Sequence, residues 1–158
     1  MVWPPDSPWS PWWRTSDGAI RQAFKLARLN SKDTVYDLGS GDGRILIIAA
    51  KEFGAKAVGI EIDPLRFYLS KLLVKFAGIS NKILINRQNF LESNISDATV
   101  IFVYLVPKAL ERLRPKFLKE LKPGTRIVSV QYEINLPVVE EITYQDKFKI
   151  RLYKTPKK

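Results

Sequence analysis

The 158-residue sequence contains no cysteine, no histidine and only one methionine. The absence of cysteine excludes disulfide bridges, thiolate nucleophiles and cysteine-based metal sites. Without histidine the chain also lacks the commonest general base near neutral pH and the commonest zinc ligand. We therefore expect no metal centre in this protein.

Long hydrophobic runs are also missing. The apolar run at 100–106 is far shorter than the roughly 20 residues that a membrane-spanning helix needs. The first residues lack the basic start and long apolar segment of a signal peptide. We expect a single cytoplasmic domain with no stable membrane insertion.

The charge is unbalanced, with 26 Lys and Arg residues against 16 Asp and Glu residues and a net charge of +10. Such an excess favours polyanions or acidic protein surfaces as partners. The alternative is a well-solvated surface, as in proteins of thermophiles, where charged residues rise and labile ones fall. The scarcity of Cys, His and Met favours a thermophilic source.

A glycine-rich run follows the first strand pattern. Asp37 ends the apolar stretch, and Gly39, Gly41 and Gly43 follow at alternate positions before a helix pattern begins. Glycines at a strand-to-helix turn let a ligand approach the backbone closely. The Gly-x-Gly-x-Gly spacing differs from the dinucleotide fingerprint, and Asp37 and Asp42 would repel a pyrophosphate. The two carboxylates suit a ligand that presents an ammonium group beside its own carboxylate, such as S-adenosylmethionine.

A second acidic signal ends the second strand pattern. An acid about 20 positions beyond such glycines can accept hydrogen bonds from both ribose hydroxyls, and Glu61 is the better candidate for this role. Ile62 would flank the adenine. Asp63 followed by Pro64 is typical of a helix N-cap and first turn.

These motifs resemble those of class I S-adenosylmethionine-dependent methyltransferases. The chain is more closely similar to the small archaeal protein-lysine methyltransferases of broad specificity, which are related to the lysine methyltransferase of the ATP synthase c-subunit. The likeness covers residues 37–44, 59–62, 89–90, 96–100 and 121–126. It implies binding of S-adenosylmethionine at Gly39, Ser40, Gly41 and Gly43, with S-adenosylhomocysteine as the product.

Further site residues are expected where later strands end. Asn89 would bond the adenine with Phe90 beside the base, although a turn Asn and a core Phe are the alternative. Tyr104 would face the transferred methyl group, unless it is simply a core aromatic. The stretch 104–107 lacks the Asn/Asp-Pro-Pro-aromatic motif, which argues against adenine, cytosine or glutamine amide acceptors. Tyr132 and Glu133 are candidates for the acceptor side.

All four tryptophans fall in residues 1–15, among four prolines. We expect this stretch to be an arm that precedes the methyltransferase domain at 16–158. Its tryptophans either cover apolar surface or form a wall of the acceptor groove. Trp12, Trp13 and Thr15 are its candidate acceptor-side residues.

Helix and strand patterns alternate along the rest of the chain. Strands are predicted at 34–38, 56–61, 82–87, 98–105 and 125–133, helices at 43–53, 64–77 and 107–121, and a hairpin at 140–144 and 148–153. Ser16 is expected to cap an earlier helix. The helix at 64–77 carries an apolar stripe of Leu65, Leu69, Leu72, Leu73 and Phe76. Pro115 is placed to kink or split the helix at 107–121.

The alternation indicates an α/β fold with a doubly wound, mainly parallel sheet. Together with the family resemblance, it predicts seven strands that end in a C-terminal antiparallel hairpin, a Rossmann-like methyltransferase fold.

The leading interpretation is methyl transfer to an amino group, with exposed lysines of proteins as acceptors. An RNA methyltransferase is the main alternative, because of the charge. A cofactor-binding or nucleic-acid-binding module without activity is a third hypothesis, and a NAD-binding protein is a fourth. For a lysine acceptor, Tyr104, Trp12 and Trp13 could form an aromatic channel that attracts the cation and favours its neutral form.

Overall fold

The computed structural model describes residues 15–158. Four helices and seven strands alternate in the predicted order. The helices are α1 (Asp17–Leu26), α2 (Arg44–Phe53), α3 (Pro64–Phe76) and α4 (Pro107–Glu120). The strands are β1 (Thr34–Leu38), β2 (Lys56–Ile60), β3 (Ile83–Asn86), β4 (Val100–Val103), β5 (Arg126–Val130), β6 (Val138–Tyr144) and β7 (Phe148–Lys154).

One seven-stranded sheet carries the fold, with the strand order β3-β2-β1-β4-β5-β7-β6. The first five strands are parallel, and β7 pairs antiparallel with both β5 and β6. The predicted doubly wound sheet with a C-terminal hairpin is therefore confirmed. Chain order reverses between β1 and β4, and ligands of open α/β sheets bind at such a point, beyond the carboxyl ends of the strands.

Helices cover both faces of the sheet because successive strand residues point to opposite sides. In β4, Val100 and Phe102 belong to the core cluster that includes residues of α1, α2 and α3. Ile101 and Val103 belong to the cluster on the side of α4. The core thus consists of two apolar layers separated by the sheet.

The predicted helix caps are present. The Ser16 side chain accepts a hydrogen bond from the N–H of Ala19 at 3.2 Å, and that of Asp63 accepts one from Leu65 at 3.0 Å. Pro64 takes the first turn of α3. Helix α4 continues through Pro115, so the expectation that this proline splits the helix is wrong.

Helix α3 differs from the sequence prediction in the side that it buries. Ser70 and Val74 are its buried residues, and Phe67 packs beside them. The predicted stripe lies outside the core, and its members are all exposed: Leu65, Leu69, Leu72, Leu73 and Phe76. On this buried side Ser70 lies close to Gly43, the N-cap of α2, where a Cβ would lie 3.0 Å from the Cβ of Ser70.

Candidate functional site

The glycine loop after β1 requires its glycines. The φ angles of Gly39, Gly41 and Gly43 are 82°, 57° and 81°. Residues that have a Cβ rarely adopt such angles. A Cβ on Gly43 would also lie 3.0 Å from the Cβ of Ser70 in α3. The loop therefore turns sharply between the end of β1 and the first turn of α2.

The N–H groups of this loop are already used within the protein. Those of Gly39 and Ser40 donate to the carbonyl of Ile60, and that of Gly43 donates to Ser40. Arg44 donates its N–H to the side chain of Asp42 at 3.1 Å. A pyrophosphate cradle needs such groups free, so this loop is built for another kind of ligand.

Asp37 is the buried acid of the site. Its side chain is only 1% exposed, and its Oδ2 has no hydrogen-bond partner within residues 15–158. Burial raises the pKa of Asp37 well above its ordinary value, and the nearby Glu61 and Asp42 add to the effect. A buried carboxylate without a partner is costly, so a ligand that brings an ammonium group would satisfy it. The buried carboxyl group of Asp37 therefore fits S-adenosylmethionine, which carries an ammonium group.

Glu61 joins the end of β2 to the glycine loop. Its Oε1 accepts the N–H of Gly41 at 2.9 Å, and its Oε2 accepts the N–H of Asp63 at 3.1 Å. Burial raises the pKa of Glu61, while these two hydrogen bonds and the charge of Arg66 act in the opposite direction. Each carboxylate oxygen has a second lone pair, so Glu61 keeps acceptor capacity for ribose hydroxyls.

Gly59 explains how the loop comes so close to β2. A Cβ at this position would lie 2.5 Å from Leu46 of α2 and 2.8 Å from the Oγ of Ser40. Gly59 also pairs in register with Asp37. The absence of a side chain on β2 thus lets the loop and α2 pack directly on the strand.

The candidates after β2 and β3 fall at the same edge of the sheet. Ile62 is exposed. The Asn89 side chain accepts the N–H of Leu91 at 2.9 Å, so its oxygen closes the turn after β3. Phe90 is buried in the cluster on the α4 side. The adenine roles of Ile62, Asn89 and Phe90 remain predictions.

Tyr104 and Tyr132 follow the ends of neighbouring strands, β4 and β5. Both rings are half-buried, Tyr104 against the α1–α3 side of the core and Tyr132 against the α4 side. Burial raises the pKa of Tyr104, and the nearby Tyr132 adds to it. The two rings thus follow neighbouring parallel strands at the edge of the sheet where the switch point lies. Glu133 is largely exposed, and its carboxylate lies 3.3 Å from the guanidinium of Arg151.

The start of the described chain lies against the glycine loop. Thr15 is buried, and its carbonyl accepts a hydrogen bond from the guanidinium of Arg44, the first residue of α2. Arg44 also pairs with Asp17 at 3.1 Å. These contacts place Thr15 beside the candidate cofactor loop. Trp12 and Trp13 lie outside the described residues.

A clamp that no sequence pattern predicts holds the turn that carries Tyr132. Gln131 has φ of 74°, and the N–H of Tyr132 donates across it to Val130. The buried Arg151 donates to the Gln131 carbonyl at 3.2 Å and pairs with Glu141 at 2.6 Å. No local pattern marks Arg151 in the sequence, because its partners come from other strands and turns.

A metal site is not part of this arrangement. Within residues 15–158, no group of three Asp, Glu, His or Cys side chains is placed to hold a metal ion. None of the helices in this part of the chain is long and apolar enough to cross a bilayer.

Known sequences similar to this chain are methyltransferases. Residues 37–139 match the model of the ANTKMT methyltransferase domain. A protein-lysine N-methyltransferase of Saccharolobus islandicus is 42% identical over 135 residues, which are 85% of this chain and 82% of the relative. The adenine nucleotide translocase lysine N-methyltransferase of mouse is 35% identical over 101 residues, which are 63% of this chain and 44% of that protein.

A solved structure is similar over nearly the whole chain. An RNA methyltransferase from Salinibacter ruber, in complex with S-adenosylhomocysteine, has a TM-score of 0.90 and 33% sequence identity. The match covers 92% of this chain and 95% of that one. The fold described above is thus shared with a methyltransferase whose structure holds S-adenosylhomocysteine.

Proposed function

Since this chain belongs to the ANTKMT methyltransferase domain family, we propose that it methylates the ε-amino groups of lysines in proteins. It is an S-adenosylmethionine-dependent methyltransferase. The observation that carries the proposal is the 42% identity with a protein-lysine N-methyltransferase over most of both chains. The buried Asp37, whose Oδ2 has no hydrogen-bond partner among the described residues, supports the cofactor side of the same reaction.

We assign the cofactor contacts by their chemistry. Asp37 would hold the ammonium of the cofactor, and Glu61 its ribose hydroxyls. The N-terminus of α2 would favour its carboxylate through the helix dipole. The glycines and Ser40 would lie along its backbone, and Ile62, Asn89 and Phe90 would surround its adenine.

The acceptor would enter between the ends of the paired strands β4 and β5, which Tyr104 and Tyr132 follow. When bound, the cofactor supplies a methyl group on a sulfonium for in-line displacement. The protein must bring the amine into line and exclude water. A free lysine has a pKa about three units above neutral. Half-buried aromatic walls disfavour the charged amine, and their faces attract it beforehand.

Tyr104 is not a dedicated acceptor for the proton of the amine, since burial raises the pKa of its phenol further above neutral. Glu133 is the carboxylate among the residues that we propose for the acceptor side. Its exposure fits a role in orienting an incoming ammonium rather than in taking its proton.

The setting that we propose is the cytoplasm of a thermophile. The support is compositional: no cysteine, no histidine, one methionine and many charged residues. The Trp- and Pro-rich residues 1–14 would contribute Trp12 and Trp13 to the acceptor side, next to Thr15.

RNA is the second candidate acceptor. The similar structure from Salinibacter ruber is called an RNA methyltransferase, and the chain carries a net charge of +10. Phosphate backbones attract such a charge without sequence preference, so binding alone would not distinguish RNA as substrate.

The test is a labelling experiment with the methyl-labelled cofactor and an extract of cells. Samples would be digested separately with protease and with ribonuclease, and the protein fraction hydrolysed for methyl-lysine analysis. We expect the label to be lost with protease and recovered as methylated lysine. Label that is lost with ribonuclease would establish the RNA alternative instead. The Asp37→Asn variant serves as the inactive control, and Glu92→Gln as a matched change of an exposed carboxylate.

A further inference from the structure

The outer side of α3 is apolar. Phe67, Ser70 and Val74 face the core, and Leu65, Leu72 and Phe76 lie roughly 180° away around the helix. Phe76 is 80% exposed and Tyr68 65% exposed, and Leu69 and Leu73 widen the same surface. We call the six exposed residues Leu65, Tyr68, Leu69, Leu72, Leu73 and Phe76 the α3 ridge. Contiguous apolar surface of this kind marks an interaction site.

The charge around the α3 ridge has one sign. Between Pro64 and Leu91 the sequence contains five basic residues and no Asp or Glu. Of the five, Arg66 pairs with Asp63, while Lys71 and Lys75 are exposed on one flank of the ridge. The partner of this surface must therefore be apolar with anionic groups at its border.

A shallow depression lies on the lysine flank. It has a volume of about 520 Å³ and is lined by Tyr68, Lys71, Leu72, Lys75 and Ser80. Two ammonium groups and a hydroxyl border an apolar floor. This combination matches a phosphate headgroup with an acyl chain beside it.

We propose that the α3 ridge docks on a membrane surface that contains anionic phospholipids. The ridge is the convex side of a single helix, whereas peptides and helices of protein partners usually dock into grooves. A deformable lipid interface accepts a convex apolar helix that carries lysines on its flank. A second copy of this chain would bring only like charges to the border, because the segment offers no carboxylate.

This inference does not depend on the identity of the acceptor. The α3 ridge contains none of the residues that we assign to the cofactor or to the acceptor. Docking would hold the enzyme at the membrane while the site at the carboxyl ends of the strands continues to work.

The experiment is flotation of the full chain with lipid vesicles. We expect binding to vesicles of phosphatidylcholine that contain about 30% phosphatidylglycerol. Binding to vesicles of phosphatidylcholine alone should be weak. Lys71→Gln/Lys75→Gln should weaken binding to the anionic vesicles by about 30-fold, since each lysine near such a surface contributes about a factor of five. Lys122→Gln/Lys157→Gln removes the same charge elsewhere and should have little effect.

The apolar part is tested by Leu65→Ser/Leu72→Ser/Phe76→Ser, which should reduce vesicle binding by about tenfold or more. Val138→Ser/Val139→Ser is the matched control, because both valines are exposed apolar residues of β6. The triple variant should still bind S-adenosylhomocysteine like the unchanged chain. That result separates loss of docking from loss of the proposed function.

A site-specific probe shows which surface enters the lipid. The chain has no cysteine, so Leu72→Cys can carry one environment-sensitive dye, with Asn135→Cys as the control on the opposite side. We expect a blue shift on anionic vesicles for position 72 alone. Absence of vesicle binding, an equal shift at both positions, or a dimer that Leu72→Ser dissociates would each overturn the proposal.

Discussion

The N–H of Gly41 donates to the Oε1 of Glu61 over 2.9 Å, although 20 residues separate them in the chain. This hydrogen bond fastens the turn after β1 to the acid that follows β2. Since Asp37 precedes the turn and is buried nearby, two carboxylates are held together at one strand edge. Because the Oδ2 of Asp37 has no hydrogen-bond partner within residues 15–158, this acid is suited to a ligand that brings a cation.

The first prediction concerns the stability of the protein without ligand. The pKa of Asp37 is higher in the folded protein than its ordinary value of 3.8, so folding takes up a proton. The resulting stabilisation is present below that ordinary value and is lost as the pH rises through the folded pKa. Asp37→Asn cannot ionise, so near neutral pH we expect its free energy of unfolding to exceed that of the unchanged chain by about 1 kcal/mol or more.

Thermal melts from pH 4 to pH 8 measure this difference. It should be small near pH 4 and grow with pH. At a fixed excess of S-adenosylhomocysteine the order should reverse, because the unchanged chain binds the ligand more tightly and gains more stability from it. A variant that is less stable than the unchanged chain at every pH would show that Asp37 is a structural acid.

The second prediction separates two demands on Gly43. In Gly43→Ala the new Cβ would sit on a backbone with a φ of 81° and would lie 3.0 Å from the Cβ of Ser70. In Gly78→Ala the φ is 73°, but the new Cβ would have no neighbour within 4 Å among the described residues. We expect Gly78→Ala to cost about 1 kcal/mol of unfolding free energy and Gly43→Ala clearly more. Urea titrations of both variants measure the costs.

A double variant serves as the control for this comparison. Gly43→Ala/Ser70→Gly removes the contact but not the backbone conformation, although Gly also weakens the interior of α3. After the cost of Ser70→Gly alone is subtracted, the double variant should lose less unfolding free energy than Gly43→Ala does. Equal costs for Gly43→Ala and Gly78→Ala would contradict the close approach of α2 and α3.

The third prediction concerns the clamp on the turn after β5. Arg151 donates to the carbonyl of Gln131 and pairs with Glu141, so it fixes the turn that carries Tyr132. Arg151→Met should lower kcat/KM for the acceptor by about tenfold, through misplacement of Tyr132. The affinity for S-adenosylhomocysteine should stay unchanged, because the clamp lies away from the glycine loop.

Steady-state kinetics and ligand titration give the two readouts. Glu141→Gln keeps the shape of the pair and should show a weaker effect in the same direction, while Lys147→Met changes an exposed basic residue of the same hairpin. Equal losses of acceptor turnover and ligand affinity in Arg151→Met would indicate a general loss of structure.

The fourth prediction addresses the acceptor channel. If half-buried aromatic walls lower the pKa of the lysine, then kcat plotted against pH should rise and level off below the pKa of a free lysine, about 10.4. Tyr104→Ala opens the wall to water, so the curve should level off at a higher pH and kcat at neutral pH should fall by about tenfold. A pH profile of Tyr104→Ala that matches that of the unchanged chain would remove Tyr104 from the channel.

The sequence predicted the elements that are set by local chemistry. Ser16 and Asp63 cap their helices, and the burial of Ile20, Ala23 and Phe24 follows the helical period. The strand order comes from the structure alone, because pairing between distant strands leaves no local pattern. The candidate loop was also predictable, since glycines at alternate positions indicate a tight turn with positive φ angles.

The failures have physical causes as well. Periodicity predicts that the apolar stripe of α3 faces the core, whereas the helix buries Ser70, which lies close to Gly43, and Val74. Hydrophobicity alone does not distinguish a core from an interface. The strained Gln131 and its partner Arg151 belong to different segments, so only the fold brings them together.

Calorimetric titration with S-adenosylhomocysteine, in buffers of different ionisation enthalpy, tests the central claim most directly. The account predicts binding to the unchanged chain with release of protons below the folded pKa of Asp37. In Asp37→Asn the affinity should fall by about 10- to 100-fold and the proton release should disappear. Well-folded protein that does not bind this ligand, or that binds it equally well after Asp37→Asn, would contradict the account.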